Sequence, residues 1–187
     1  MENLKNQYKP ALYEKIRDNG YNYAKIIIPE LQRYITVIDI IDIGCGGGSF
    51  LSGCYEMGLD IRGIDGEHVE SSLQVDKKFI EYRNLENVIE SKVKYDLCTS
   101  MEVAEHIDIQ YADNLIDTLC NHSDNILFSA AQVGQPGINH INCQPLEYWI
   151  EKFEARGYRH IEEVSNWIRG NDVIYNWYRK NSVFFMK

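Results

Sequence analysis

The sequence predicts an α/β fold, a doubly wound and mostly parallel sheet of seven strands with the last strand antiparallel, in a single domain over residues 1–187. Three observations carry this. Apolar β-branched runs alternate with segments of helical period, the first such run ends in a glycine cluster, and the last two runs have no long helix between them. Short crossovers between parallel strands need helices, so the first pattern gives a sheet covered on both faces.

The elements follow in order. Residues 1–34 are amphipathic and tyrosine-rich, and Pro10 and Pro29 can each begin a helix. Residues 35–43 read as a strand buried on both faces, and residues 49–57 as a helix that Gly58 stops. A strand at 61–64, a helix at 68–77 and a strand at 79–82 continue the rhythm, which repeats as strand 95–100, helix 110–121 and strand 125–130. Leu146, Trp149, Ile150 and Phe153 fall on one face of a further helix, with Gly157 as its stop. Residues 164–168 and 182–186 complete the sheet as an antiparallel pair.

Composition limits the function. Hydrophobic residues make up 44% and charged residues 25%, the mixture of a packed chain and not of a disordered one. Lys and Arg total 19 against 28 Asp and Glu, and the resulting net charge of -9 repels a phosphate backbone, so nucleic acid is not the expected partner. The 5 cysteines, Cys45, Cys54, Cys98, Cys120 and Cys143, form no C-x-x-C pair and read as free thiols. With a polar start and no long apolar run, the expectation is a cytoplasmic protein without a membrane partner. Oligomeric state is not legible.

The most informative segment joins the first strand to the first core helix: Asp42, Gly44, Cys45, Gly46, Gly47, Gly48, Ser49. Glycines there let backbone N–H groups approach a ligand closely. The dinucleotide pattern G-x-G-x-x-G fails, because Ser49 occupies its third position. The pattern D-x-G-x-G-x-G fits, and it resembles motif I of the class I S-adenosylmethionine-dependent methyltransferases. That resemblance implies a Rossmann-like core over residues 35–187, an N-terminal helical cover over residues 1–34 in which Tyr13 or Arg17 can reach a ligand, and S-adenosylmethionine as donor, held by Asp42, Gly44, Cys45, Gly46 and Gly48. It also implies that Asp65, closing the next strand beside Gly66, accepts the ribose hydroxyls, and that Asn84 and Leu85 flank the adenine with Met101 nearby.

After the fourth strand stands an E-x-x-E-H cluster, Glu102, Glu105 and His106, and after the fifth stands His140. The pattern resembles two branches of the family, small-RNA 2′-O-methyltransferases and ubiquinone-pathway O-methyltransferases, in which the cluster binds a divalent metal. Carried over, the ligands are Glu102, Glu105, His106 and His140, a set that suits Mg, Mn, Co or Zn. A second reading stays open: the acid caps a helix and the histidine packs. Catalysis is then expected from His140, His106 and Glu102, a histidine serving as general base where no metal binds.

Residues 131–145 form a loop long enough to be functional, expected as a substrate lid. It and the tail resemble a small single-domain subgroup associated with glycan or natural-product genes, through Gly134-Gln135, His140-Ile141-Asn142, Gln144-Pro145, Tyr148-Trp149 and the W-Y-x-x-N run at Trp177. Asn142, Gln144, Trp177, Tyr178 and Asn181 are the expected acceptor contacts, with Trp177 and Tyr178 as an aromatic wall suited to a sugar. The expected function is O-methylation of a small molecule such as a sugar or glycan precursor. The alternatives are RNA-end 2′-O-methylation and a non-catalytic S-adenosylmethionine-binding partner protein.

Overall fold

The computed structural model describes residues 10–187, with side chains from Asp18 onward. Helix α1 (Pro10–Leu31) precedes β1 (Asp39–Ile43), α2 (Ser49–Glu56) and β2 (Asp60–Asp65). Then come β3 (Ile80–Tyr82), β4 (Leu97–Met101), α3 (Ala112–His122) and β5 (Asn125–Ser129). The chain ends in α4 (Leu146–Glu154), β6 (Arg159–His160), α5 (Glu162–Gly170), α6 (Asn176–Asn181) and β7 (Val183–Met186). The sheet has 7 strands in the order β3-β2-β1-β4-β5-β7-β6. Pairings among β1 to β5 are parallel, and β7 runs antiparallel to both β5 and β6.

This order carries the functional consequence. From β1 the chain moves outward to β2 and β3, then returns to place β4 on the other side of β1. Crossovers therefore leave the carboxyl ends of β1 and β4 in opposite directions, and the crevice between them is where sheets of this kind bind ligands. The glycine turn follows β1 and the Glu102–His106 segment follows β4, so both border that crevice.

Alternation along the strands divides the core. Ile40, Leu97, Leu127 and Phe184 join α1, α2, α5 and α6 on one face. Ile41, Cys98, Ile126, Phe128 and Phe185 join α3 and α4 on the other. Helices α1 and α2 meet closely through two glycines: a Cβ on Gly20 would lie 2.9 Å from Ser49 Oγ, and one on Gly53 would lie 2.7 Å from the Tyr21 carbonyl oxygen.

Four expectations need correction. Residues 164–168 are not a strand but the middle of α5, because Ile161, Val164 and Ile168 are buried with helical spacing, Glu162 and Glu163 open the helix and Arg169 closes it. The edge strand is β6, just before it. Residues 68–77 form no α-helix; a 3-10 helix at Glu67–Ser72 stops at Leu73, where adjacent serines favour local side-chain bonds and Ser72 Oγ donates to the Val69 carbonyl. The first strand begins at Asp39 and not at 35, since the Asp96 carboxylate takes the Ile38 N–H at 2.7 Å and ends the ladder there. Helix α1 is described from Pro10 onward, and Pro29 lies inside it instead of beginning a helix. Burial of Ile27, Ile28 and Leu31 holds that last turn despite the missing N–H. Tyr13 and the Arg17 side chain lie outside the described residues.

Candidate active site

The glycine turn is fixed from below and open above. The Gly44 N–H donates to the Ile64 carbonyl at 2.7 Å, tying the turn to the end of β2. Gly44, Gly46 and Gly48 take φ of 82, 54 and 81°, left-handed values that favour glycine. At Gly44 a Cβ would fall 2.4 Å from Val103 Cγ2, whereas at Gly46 nothing among the described residues lies within 4 Å of one. The turn therefore packs on the β4 side and presents bare backbone at Gly46. Cys45 is buried beneath it, its thiol pushed far up by burial, which makes it packing and not a nucleophile.

One carboxylate holds this turn, and a second lies in the strand that leads into it. Asp65, buried at the end of β2, accepts the Gly46 N–H at 2.7 Å and the Gly66 N–H at 2.6 Å. Burial raises its pKa and those two bonds oppose the rise. His68 Nε2 stands 3.7 Å from the same carboxylate. Asp42 shares a face with Ile40 inside the α1–α2 side of the sheet and accepts the Thr99 hydroxyl at 2.7 Å. Burial, with the Asp65 charge adding to it, pushes Asp42 up to about 7. Thr99 was not singled out by the sequence; a hydroxyl one strand over from a buried aspartate is visible only once β1 and β4 are paired.

Beyond β3, Asn84 is exposed and its Oδ1 accepts the Glu86 N–H at 3.0 Å in a local turn. Leu85 is buried in the α3–α4 side of the core, and Met101 is half-buried at the end of β4 against the α1–α2 side. Of these three side chains, Asn84 alone carries an amide that can donate and accept hydrogen bonds.

The turn after β4 is strained and tightly held. Glu102 has φ 58°, a conformation costing of order 1 kcal/mol for a side chain with a Cβ. Its N–H donates to the Ser129 carbonyl at 3.0 Å and lies 3.1 Å from the Ser129 hydroxyl. A 3-10 helix, Ala104–His106, follows without any side-chain cap, so neither glutamate caps a helix. Glu105 is fully buried; among the described residues neither carboxylate oxygen makes a hydrogen bond of good geometry, and its polar neighbours are the Ala131 backbone and the Glu102 carboxyl. Burial and the neighbouring Glu102 charge push its carboxyl up to about 8. Glu102 is raised as well, chiefly by burial.

Ligand atoms of Glu105, His106 and His140 all lie within 4.8 Å of one another. His106 Nδ1 lies 3.1 Å from the Asn139 carbonyl, which favours a proton on Nδ1 and leaves the Nε2 lone pair outward. Burial lowers its pKa, favouring the neutral ring that a metal requires. The two imidazoles meet edge to face at 5.0 Å, and Cys143 Sγ stands 3.6 Å from His140 Nδ1. An unpartnered buried carboxylate beside two imidazoles is a donor set for a divalent cation. Glu102 borders this trio without belonging to it.

Of the expected acceptor contacts, the structure turns most inward. Asn142 is buried, donating to the Ala104 carbonyl at 3.4 Å and accepting Gln144 Nε2 at 2.8 Å. Tyr178 is buried and stacks on Tyr23 at 4.6 Å. Asn181 is fully buried, with Nδ2 3.2 Å from both Glu102 oxygens. Trp177 is half-buried against Tyr175 at 4.0 Å. The loop itself is pinned at its far end, where the Ile141 and Asn142 N–H groups donate to the Glu105 carbonyl at 2.9 and 3.0 Å. Sequence reasoning missed Ser129, Gln132 and Asn139, each a polar residue at a strand end or in the loop. Asn139 adopts φ 58°, a value asparagine tolerates better than most residues.

Comparison with known proteins gives the family and the fold. A family model described as a methyltransferase domain matches residues 13–168. Among curated proteins, a ubiquinone biosynthesis O-methyltransferase of Bordetella avium is 33% identical over 90 residues, covering 43% of this chain and 36% of its own length. The enzyme of the same name from Acinetobacter baumannii is 30% identical over 100 residues, covering 48% of this chain and 42% of its own. The matched stretch thus spans about two fifths of these relatives' length.

Among solved structures, a SAM-dependent methyltransferase from Archaeoglobus fulgidus superposes with TM-score 0.64 at 17% identity, covering 95% of this chain and 98% of that one. The methyltransferase domain of bacterial CtHen1 gives 0.62 at 16%, covering 91% and 98%. Magnesium protoporphyrin IX methyltransferase from Synechocystis, solved with SAH, gives 0.64 at 15%, covering 96% and 87%. At such identities these likenesses concern the fold. No helix among the described residues is long and apolar enough to cross a membrane.

Proposed function

The chain belongs to the methyltransferase-domain family of S-adenosylmethionine-dependent enzymes, and from that premise we propose that it moves a methyl group from this donor to a hydroxyl oxygen of a small molecule, such as a sugar or glycan precursor. The observation that carries the reading is the joined pair of Gly46 and Asp65: bare, left-handed backbone over open space, beside a buried carboxylate with lone pairs left for a ribose diol. Asp42 lies beneath the same turn. Asn84 and Leu85 border the adenine side, and Met101 lines the floor between donor and acceptor.

Methyl transfer is an in-line displacement. The acceptor oxygen forms a bond to the methyl carbon as the sulfur–methyl bond breaks, the sulfonium becomes a neutral thioether, and the hydroxyl proton must leave. Glu105, His106 and His140 fit a divalent cation, with Glu102 beside them. Such an ion, Mg, Mn, Co or Zn, would supply a lowered hydroxyl pKa and a fixed oxygen. The chain's own part is to keep His106 neutral and oriented through Asn139, with Nε2 as its one free lone pair: that nitrogen would hold the cation, or, where no cation is bound, take the hydroxyl proton as general base. Ser129 and Asn181 hold Glu102 while the pinned loop limits water around the acceptor. The names of the curated relatives support oxygen as the acceptor atom, and the net charge of -9 supports a small acceptor over RNA. RNA-end methylation stays as a second reading because of the Glu105, His106, His140 trio and the likeness to the bacterial CtHen1 domain.

The test is methyl transfer from labelled donor to free sugars, sugar nucleotides and RNA ends, each with and without EDTA. Labelled sugar or sugar nucleotide supports the proposal; labelled RNA ends with unlabelled sugars overturn it in favour of the second reading. EDTA-resistant activity that survives His140→Ala removes the cation from the account.

A further inference from the structure

Glu102 is held from a direction that the donor and the cation trio do not explain. It follows β4, and its partner comes from the last turn of α6, 79 positions away in the chain. The Asn181 amide is fully buried and used at both ends: Nδ2 reaches both Glu102 oxygens at 3.2 Å, and Oδ1 accepts Gln132 Nε2 at 3.2 Å. Gln132 Nε2 also donates to the Lys180 carbonyl at 3.1 Å, which fixes the donor end of that glutamine. The polarity is forced. Rotating the Asn181 amide by half a turn would set oxygen against carboxylate and N–H against N–H. A side chain serving only to fill space has no such requirement.

We propose that Asn181 is a positioning residue for Glu102 and that Gln132, at the start of the 131–145 loop, orients Asn181 in turn. The Glu102 carboxyl is the polar side-chain neighbour of the Glu105 carboxyl, so the chain Gln132, Asn181, Glu102 runs from the loop to the carboxylate of the candidate cation site. The loop is thereby anchored to that turn at both ends, by Gln132 near its start and by the Ile141 and Asn142 N–H groups on the Glu105 carbonyl near its finish. This inference rests on the cation reading above, and it extends that reading to residues outside the ligand set.

The test is a double-mutant cycle with Mn2+ as the probe, binding followed by calorimetry and by the loss of free-ion paramagnetic resonance signal. Asn181→Leu, close in volume, should weaken Mn2+ binding about tenfold or more in the wild-type background, the loss typical of an orienting partner. In a Glu102→Gln background the same change should have less than about a twofold effect, because the group it orients is altered. Gln132→Ala, at a half-buried site, should give a smaller loss with the same dependence on Glu102, and it carries the test where Asn181→Leu fails to fold. Equal losses in both backgrounds, or unchanged Mn2+ binding by a normally folded Asn181→Leu, overturn the proposal. A wild-type protein that binds no Mn2+ overturns the cation reading and this proposal together.

Discussion

The two sides of the crevice are built in different ways. The donor side is mostly backbone: one strand, one turn and one helix in unbroken sequence, closed by a carboxylate from the adjacent strand at Gly46. The acceptor side is mostly side chain, drawn from the turn after β4, the loop after β5 and the end of α6. Backbone sites are set by φ, ψ and close packing, and they tolerate little. Side-chain sites depend on hydrogen-bond partners far away in sequence and can be dismantled one contact at a time.

The sharpest way to separate the two is Asp65→Ala. Loss of the carboxylate leaves the Gly46 and Gly66 N–H groups without their acceptor and removes the acceptor for ribose, about 3 kcal/mol or roughly a hundredfold in S-adenosylhomocysteine affinity by calorimetry. Mn2+ binding should not change, and a parallel loss there would erase the distinction. Gly44→Ala should cost about 2–3 kcal/mol of stability in urea, since a left-handed φ and a 2.4 Å approach to Val103 act together. A Gly44→Ala protein as stable as wild type would show that the turn is not held by packing.

Asp42 tests the same region by pH. Its folded-state pKa, about 7, lies above the ordinary value of 3.8, so the folded protein binds the proton more tightly and stability falls as pH rises between those values. Asp42→Asn should therefore be more stable than wild type by about 2 kcal/mol at pH 8, and the gain should shrink as pH falls toward 4. Donor affinity should drop in the same variant. A gain that does not vary with pH would assign it to packing. The smallest effect belongs to the acceptor loop: Gly134→Ala shares a φ of 83° but meets nothing within 4 Å, and should cost only about 1 kcal/mol in the same urea experiment. Equal costs at Gly44 and Gly134 would remove the contrast between a packed turn and an open one.

Most of the fold was legible because it is written in local patterns. The run of Ile40, Ile41 and Ile43 into glycine, the stop at Gly58 and the apolar stripe of α4 each encode one element with neighbours in sequence. The misread elements are those where local pattern and tertiary context disagree. Val164 to Ile168 looks β-branched, yet its burial repeats at helical spacing, and only the presence of a sheet face beneath it reveals which period matters. The two serines after Val69 shorten a helix that the apolar spacing alone would allow.

The sequence by itself determined the glycine turn after β1, because left-handed glycines between a buried strand and a helix are a backbone requirement that residue identity states directly. The likeness of Glu102, Glu105, His106 and His140 to a metal-binding set was also readable. Which of them stand together, and that Asn181 faces a carboxylate instead of an acceptor, was decided by tertiary structure alone. Hydrogen bonds between side chains 79 positions apart depend on strand order and helix placement, and those are properties of the folded sheet that no local spacing records.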